Sequence, residues 1–186
     1  MSGTSLDGVD LACCTFRLRE GKWVYSMDAA QTVRYSADLK KRLAHAQECS
    51  GLELAMLDRE YGRYIGVLVH ALTIKYRLRG IDFVASHGHT VFHQPNANLT
   101  LQIGSGYEIH AATGLPVVYD FRSLDVVYGG QGAPLVPIGD KHLFHEYDCC
   151  LNLGGIANIS FDVKARRRAY DVCYANMALN YLAELN

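Results

Sequence analysis

Apolar, β-branched and aromatic residues run through Val9 to Leu18 and again from Trp23 to Tyr35, with Glu20-Gly21-Lys22 between them. That pattern predicts a β-hairpin near the start of the chain. Ser36 then offers an N-cap for a helix from Ala37 to about Gln47, closed by Cys49-Ser50-Gly51. From Leu52 to about Arg79, Leu54, Leu57, Tyr61, Ile65, Leu68, Leu72 and Tyr76 recur at three- and four-residue steps. They form one apolar stripe on a long helix, which Gly80 is expected to stop.

After that helix the period shortens. Ile81 to Ser86 reads as a short buried strand, Asn98 to Ile103 alternates as another, and Gly104-Ser105-Gly106 turns the chain into a helix over Tyr107–Thr113 that ends at Gly114. Pro116 to Tyr119 is a third short strand, delivering Asp120-Phe121-Arg122 at its C-terminal end. A helix from about Val136 to His145 follows a glycine-rich stretch. The last segment reads as strands over Asp148–Leu153, Ala157–Val163 and Ala169–Val172, then a helix from about Asn176. Strands alternating with helices place the chain in the α/β class.

Composition changes this picture little. The chain has 186 residues, 49% hydrophobic and 20% charged, with a formal net charge of -1. That is ordinary globular composition, with no electrostatic case for nucleic acid or an anionic membrane. The one basic run, Lys164-Ala-Arg-Arg-Arg168, lies between two strands and reads as a solvated hairpin turn. Of six cysteines, Cys13/Cys14 and Cys149/Cys150 are adjacent pairs inside apolar runs, and no C-x-x-C occurs. They read as reduced core residues of a cytoplasmic protein. There is no charged-then-apolar leader and no apolar span long enough to cross a bilayer.

Candidate chemistry collects where strands give way to loops. Met1-Ser-Gly-Thr-Ser-Leu-Asp-Gly-Val-Asp10 opens the first strand with two glycines around hydroxyl and acidic side chains. Backbone N–H groups there can form an anion-binding nest, Thr4 and Ser5 add hydroxyl donors, and Asp7 can hold a hydrated Mg²⁺; an ordinary turn is the plain alternative. His87, His89 and Thr90 are better placed to hydrogen-bond a substrate than to bind zinc, because no acidic or thiol ligand is near in sequence. On an extended segment Asp120 and Arg122 project to one side, where they can pair with each other or read a polyol and a carboxylate together. Gly129-Gly-Gln-Gly132 permits close backbone approach, with Gln131 facing a ligand. Neither a G-x-G-x-x-G fingerprint nor a G-K-[ST] phosphate loop is present.

The opening MSGTSLDGVD resembles that of the anhydro-N-acetylmuramic acid kinases, a branch of the sugar kinase, heat-shock chaperone and actin superfamily. SHGHTVFHQP, LQIGSGYEIHAATGLPVVYDFR, GGQGAPLVP and LNLGGIANIS match the same family in the same order. The resemblance implies an actin-like ATPase (ribonuclease H-like) domain with a mixed sheet and flanking helices over residues 1–145, its first strand missing. The incomplete start of a second such domain would occupy 146–186, so the sequence looks truncated at both ends.

By the same resemblance, Gly3, Thr4, Ser5, Leu6, Asp7 and Gly8 form one ATP phosphate loop and Gly154-Gly155 the second, with Mg²⁺ held by Asp7 through water. His87, His89, Thr90, Asp120, Arg122 and Gln131 bind the sugar, although the family has Gln at the His89 position. Asp171 is the catalytic base. Of the family's Asp-Thr-Gly-Pro-Gly-Asn, the string Asp171-Val-Cys-Tyr-Ala-Asn176 keeps only the Asp and the Asn. The implied reaction uses ATP and water to open 1,6-anhydro-N-acetylmuramic acid and phosphorylate it. Partners are then a small sugar and ATP, without nucleic acid or membrane, and a homodimer is compatible. Three other readings stay open: a phosphatase or polyphosphate hydrolase of the same superfamily, an ATP-gated binding module, and a fragment inactive alone.

Overall fold

A computed structural model describes residues 6–133, 135–164 and 166–184. The chain forms two compact units, one built from residues up to 13 together with 27–132, the other from 14–26 together with 133 onward. Among the described residues the protein is mixed α/β, with six α-helices and four small sheets. Among the described residues these ladders do not join into the mixed sheet that the resemblance implies for residues 1–145. β3 (Val84–Ser86) and β6 (Val117–Tyr119) pair in parallel over only three residues each, while β4 (His89–Gln94) and β5 (Leu99–Ile103) form a separate antiparallel pair.

The hairpin of β1 (Gly8–Arg19) and β2 (Lys22–Arg34) turns through Glu20 and Gly21, both at positive φ (50° and 77°). Two such residues make the two-residue turn whose twist suits a hairpin. In the first unit α1 (Ala37–Ala44) begins as expected, with Leu39 N–H donating to Ser36 Oγ at 3.2 Å. Ser50 does not close that helix. It opens α2 (Gly51–Lys75) through a reciprocal capping box: Glu53 N–H donates to Ser50 Oγ at 3.3 Å, and Ser50 N–H donates to the Glu53 carboxylate at 2.8 Å.

Nor does Gly80 end α2. Leu78 N–H reaches the Thr73 carbonyl at 3.0 Å and Arg77 N–H the Ile74 carbonyl at 3.2 Å, with Arg77 at φ 52°. This is a Schellman stop that uses arginine where glycine is usual.

The apolar stripe of α2 buries Leu57, Tyr61, Ile65 and Leu72, with Leu54 and Leu68 part-buried, while Tyr76 stays outside. They pack with Val9, Leu39, Leu43, Val91, Ile103 and Ile109 as the core of this unit. Tyr61 is fully enclosed, and its hydroxyl meets that of Tyr35 at 2.7 Å, so no polar atom is stranded. α3 (Gly106–Thr113) lies against α2 where α2 carries glycines. A Cβ on Gly62 would meet the Ser105 carbonyl oxygen at 2.5 Å, and one on Gly66 would meet the Ala112 methyl at 2.6 Å. Glu108, buried in that contact, accepts from Arg59 at 2.6 and 2.8 Å and from Arg63 at 3.2 Å.

The second unit contains α5 (Leu135–Leu143), the sheet β7 (Cys149–Leu153), β8 (Ile156–Val163) and β9 (Arg166–Tyr174), and α6 (Asn176–Glu184). The remaining helix, α4 (Ser123–Val127), belongs to the first unit. The compact units thus part at Gly132/Ala133, ahead of Glu146, because α5 is tied to the sheet. Ser160 Oγ, on β8, hydrogen-bonds Asp140 Oδ2 on α5, and Arg167 Nη2, on β9, donates to Ser160 Oγ at 3.0 Å and Cys150 Sγ at 3.3 Å. Arg167 therefore departs from the expected solvated turn. Its side chain is only 9% exposed, because cross-strand register sets it over Ser160 and Asp162. The cysteines depart as well. None forms a disulfide and none is fully buried, and Cys149 and Cys173 are exposed.

Arg59 first, then Arg63, hold the Glu108 carboxyl below the usual carboxylate range. A depressed folded value adds stability that is complete above the ordinary 4.5 and is lost as pH falls through the lower folded value. Glu108→Gln is expected to lower stability at neutral pH and to flatten the acid limb of the stability profile. Urea unfolding at neutral and acid pH checks this, and an unchanged acid limb would refute the assignment.

Candidate functional site

The parallel pair β3–β6 aligns Ser86 with Tyr119, so the chain leaves both strands at one edge. At that edge stand His87 and the segment Asp120-Phe121-Arg122. The carboxyl ends of parallel strands are where α/β folds expose binding groups on a fixed frame. His87 Nδ1–H donates to the Gly88 carbonyl at 3.0 Å, and His87 Nε2 accepts from Arg122 Nε at 3.0 Å. Only a neutral imidazole can do both. Burial, chiefly, holds the His87 pKa below its ordinary value, and the Arg122 charge adds to this. Arg122 also hydrogen-bonds the Gly132 carbonyl oxygen through Nη1. Burial lowers the Arg122 pKa, and among the described residues this guanidinium makes no ion pair.

Asp120 does not share an extended face with Arg122. It sits at φ 55° and its Oδ1 accepts from Ser123 N–H at 3.2 Å, while Arg122 has helical backbone angles at the start of α4. The left-handed turn at Asp120 sends the two side chains to different partners.

The Gly129–Gly132 stretch is shaped by its own chain. Gly129, at φ 82°, occupies the C′ position of α4: its N–H meets the Val126 carbonyl at 2.9 Å, and Gly130 N–H meets the Asp125 carbonyl at 2.8 Å. A side chain on Gly130 would collide with the Asp125 carboxylate, and Gly132 is at φ 61° with Val126 beneath it. Asp125 Oδ2 accepts from Gly132 N–H at 2.7 Å. Asp125 and Arg122 thus clamp the two sides of one glycine, which leaves Gln131 exposed next to it. The sequence reading missed Asp125. Its signal was an acid four residues before a glycine run, on a helix too short to show periodicity.

The other predicted positions are placed differently. His89 is 6% exposed, donates to the Leu43 carbonyl and stands edge-on to Tyr61 at 6.4 Å, as a core histidine does. Thr90 is half-buried on β4 opposite Gln102, beside a bulge. The stretch from His89 to Gln94, to which the sequence reading assigned no element, is a strand that pairs with β5.

Gly3, Thr4 and Ser5 lie outside the described residues. Leu6 is half-buried against the core and Asp7 is exposed. Gly8 is buried where β2 crosses closest: a Cβ there would run into the Val33 carbonyl oxygen and lie 3.0 Å from the Arg34 Cα.

In the second unit Gly154 and Gly155 turn β7 into β8. Their carbonyls accept from Asn176 N–H at 3.0 Å and from Ala175 and Met177 N–H at 3.0 and 3.2 Å, at the start of α6. Asp171, expected to end its strand, lies within β9, which continues to Tyr174. It is exposed, faces Asn158, and adjoins a bulge between β8 and β9 that re-aims the strand. A cleft of about 400 Å³ in this unit, lined by Val136, Asp140, Phe144 and Cys150 among others, includes none of the predicted site residues.

The sequence model of the family described as anhydro-N-acetylmuramic acid kinase matches residues 1–184. The chain belongs to this family. Proteins of that name from Rhizobium etli and Rhizobium johnstonii are each 34% identical to it over 203 aligned positions, covering all of this chain and 54% of the relative. The chain therefore spans about half the length of the curated relatives it matches. Among the described residues no helix is long and apolar enough to cross a membrane.

Two expectations follow. Gly8→Ala is expected to cost about 1–3 kcal/mol, since β1 and β2 must part to admit the methyl; thermal unfolding measures it, and wild-type stability would refute the close approach. The His87 ring is expected to titrate below 6.5. Because only the neutral ring accepts from Arg122, that bond is complete above the ordinary value and is lost as pH falls through the lower folded one. Imidazole NMR signals followed against pH report it, and a value above 6.5 would refute the neutral assignment.

Proposed function

We propose that this chain supplies sugar-binding and phosphate-binding parts of an ATP-dependent kinase. The enzyme opens 1,6-anhydro-N-acetylmuramic acid hydrolytically and phosphorylates it to N-acetylmuramate 6-phosphate, in cytoplasmic recycling of the cell wall. The family supports the reaction class. One observation carries it to chemistry: the half-buried Arg122 guanidinium is fixed by two neutral acceptors and makes no ion pair among the described residues. A cation held this way is prepared for an anionic group on a ligand, and the substrate's lactyl carboxylate is such a group.

In this reading Arg122 binds the lactyl carboxylate, His87 keeps the guanidinium in orientation, and Gln131 and Asp120 hydrogen-bond sugar hydroxyls. Asp171, an exposed carboxylate beside a bulge, takes a proton from the water that attacks the anomeric carbon. The bridging C1–O6 bond breaks, and the freed O6 becomes the phosphoryl acceptor. Gly154 and Gly155 N–H groups hold phosphate oxygens, as do residues 3–8, with Mg²⁺ bound through water by Asp7. ATP supplies the γ-phosphoryl group, and the protein's share is positioning and charge stabilisation. In this reading residues 1–145 belong to an actin-like domain and residues 146–186 to the beginning of a second one.

Arg122→Gln is expected to weaken N-acetylmuramic acid binding by about 10- to 100-fold, the worth of a charge-assisted hydrogen bond, with ATP affinity unchanged. In a protein with the full length of its relatives, Asp171→Asn is expected to abolish sugar-dependent ADP release. Isothermal titration and coupled ADP detection read the two effects. Wild-type turnover in the Asp171 variant would remove it from the mechanism, and undiminished sugar affinity in the Arg122 variant would remove the carboxylate contact.

A further inference from the structure

Tyr107 and Tyr119 are large aromatic side chains that take no part in the core of the first unit. Tyr107 is 79% exposed and Tyr119 42%. Their rings stand edge to face, 6.3 Å between centroids at 68°, and their hydroxyls share a hydrogen bond. The pair is held in place from below. Gly106, the first residue of α3, lies directly beneath the Tyr119 ring, where any Cβ would overlap ring carbons. Tyr119 is also the last residue of β6, in register with Ser86, and so adjoins His87 and Asp120 at the edge that carries Arg122. Asp120 and Asp58 both act electrostatically on the Tyr119 hydroxyl.

Two fixed, exposed aromatic faces beside carboxylates suit one class of ligand. A pyranose ring presents a face of weakly positive C–H groups, which the negative face of an aromatic ring attracts, and a rim of hydroxyls that carboxylates and phenols can hydrogen-bond. A ligand held through charge alone would not need the rings, and an apolar peptide would not need the acids.

We propose that Tyr107 and Tyr119 form an aromatic platform on which a pyranose ring stacks beside Asp120, so that the sugar is gripped by its apolar face independently of the charge contact at Arg122. The inference rests on the sugar-binding reading of this edge and assigns to it two specificity-determining residues. Stacking adds to affinity for any pyranose of the right outline, whereas Arg122 selects the one that bears an acid.

The experiment titrates N-acetylmuramic acid, and separately N-acetylglucosamine, into the 186-residue chain and its Tyr107→Ala and Tyr107→Phe variants. Affinity and tyrosine ring signals are followed by NMR. Tyr107 is exposed, so its removal is expected to leave thermal unfolding unchanged. The platform predicts that Tyr107→Ala weakens both sugars by roughly 3- to 10-fold, the range of an aromatic contact, that Tyr107→Phe retains most of the affinity, and that Tyr119 ring signals move on binding. Gly106→Ala, whose methyl would overlap the Tyr119 ring and so disturb the pair, is expected to weaken both sugars as well. Undiminished affinity in Tyr107→Ala and Gly106→Ala, or no binding of either sugar to the wild type, overturns the platform. The kinase reading fails separately, if a full-length protein binds sugar through Tyr107 yet releases no ADP in response.

Discussion

The first unit depends on how closely α3 approaches α2. Gly62 and Gly66, one turn apart, remove the side chains that would otherwise keep the helices separated, so the Ser105 carbonyl and the backbone at Ile109 lie directly on α2. Asp58 on the same helix accepts from Gly104 N–H at 2.7 Å, while its carbonyl accepts from Ser105 N–H at 3.1 Å. The turn between β5 and α3 is thereby fixed on α2. Since β6 follows α3 after a tight Gly114 stop at φ 71°, the position of β6 follows from that contact. The placing of Tyr119 and Arg122 at that edge is thus set by glycines more than fifty residues earlier in the chain.

Polar groups in the two units are treated alike. Glu108 enters a helix interface only because two arginines reach it, and Asp140 lies buried only because Ser160 and Arg167 complete its surroundings. Such networks are worth having when fully satisfied and costly when not, and the second is not complete, since Arg167 Nε is buried without a hydrogen-bond partner among the described residues. Arg122 differs in being held by neutral acceptors, the His87 ring and the Gly132 carbonyl. His87 supplies one of those acceptors only while uncharged, so burial of the imidazole has a use beyond packing.

Most of the fold was legible locally. The hairpin turn at Glu20-Gly21, the Ser36 cap, the stripe on α2 and the Gly114 stop all follow from residues within a turn of one another, and each was found where the sequence put it. Legibility failed where partners are distant. β4 was hidden because its alternation, His-Thr-Val-Phe-His, looks like a functional string until β5 pairs with it. The Ser50 box was misread because a serine between two helices can close one or open the other, and Glu53 decides. Ser86-His-Gly-His showed that chemistry belongs near β3, but nothing in it separates His87, at the edge, from His89, two residues on and in the core.

By itself, then, the sequence determined the family, the α/β alternation, most helix and strand positions, and the residue types that gather at one edge. These are matters of local propensity, periodicity and motif, carried by neighbours in the chain. Only the tertiary structure decided which glycines are shaped by their own chain, that the Arg167 side chain is largely enclosed while Arg122 makes no ion pair among the described residues, and that Asp120 and Arg122 part company. Each of those depends on a contact with residues distant in sequence or on a left-handed backbone turn. Burial, charge pairing and close approach are properties of the surroundings that folding assembles, and no residue carries them alone.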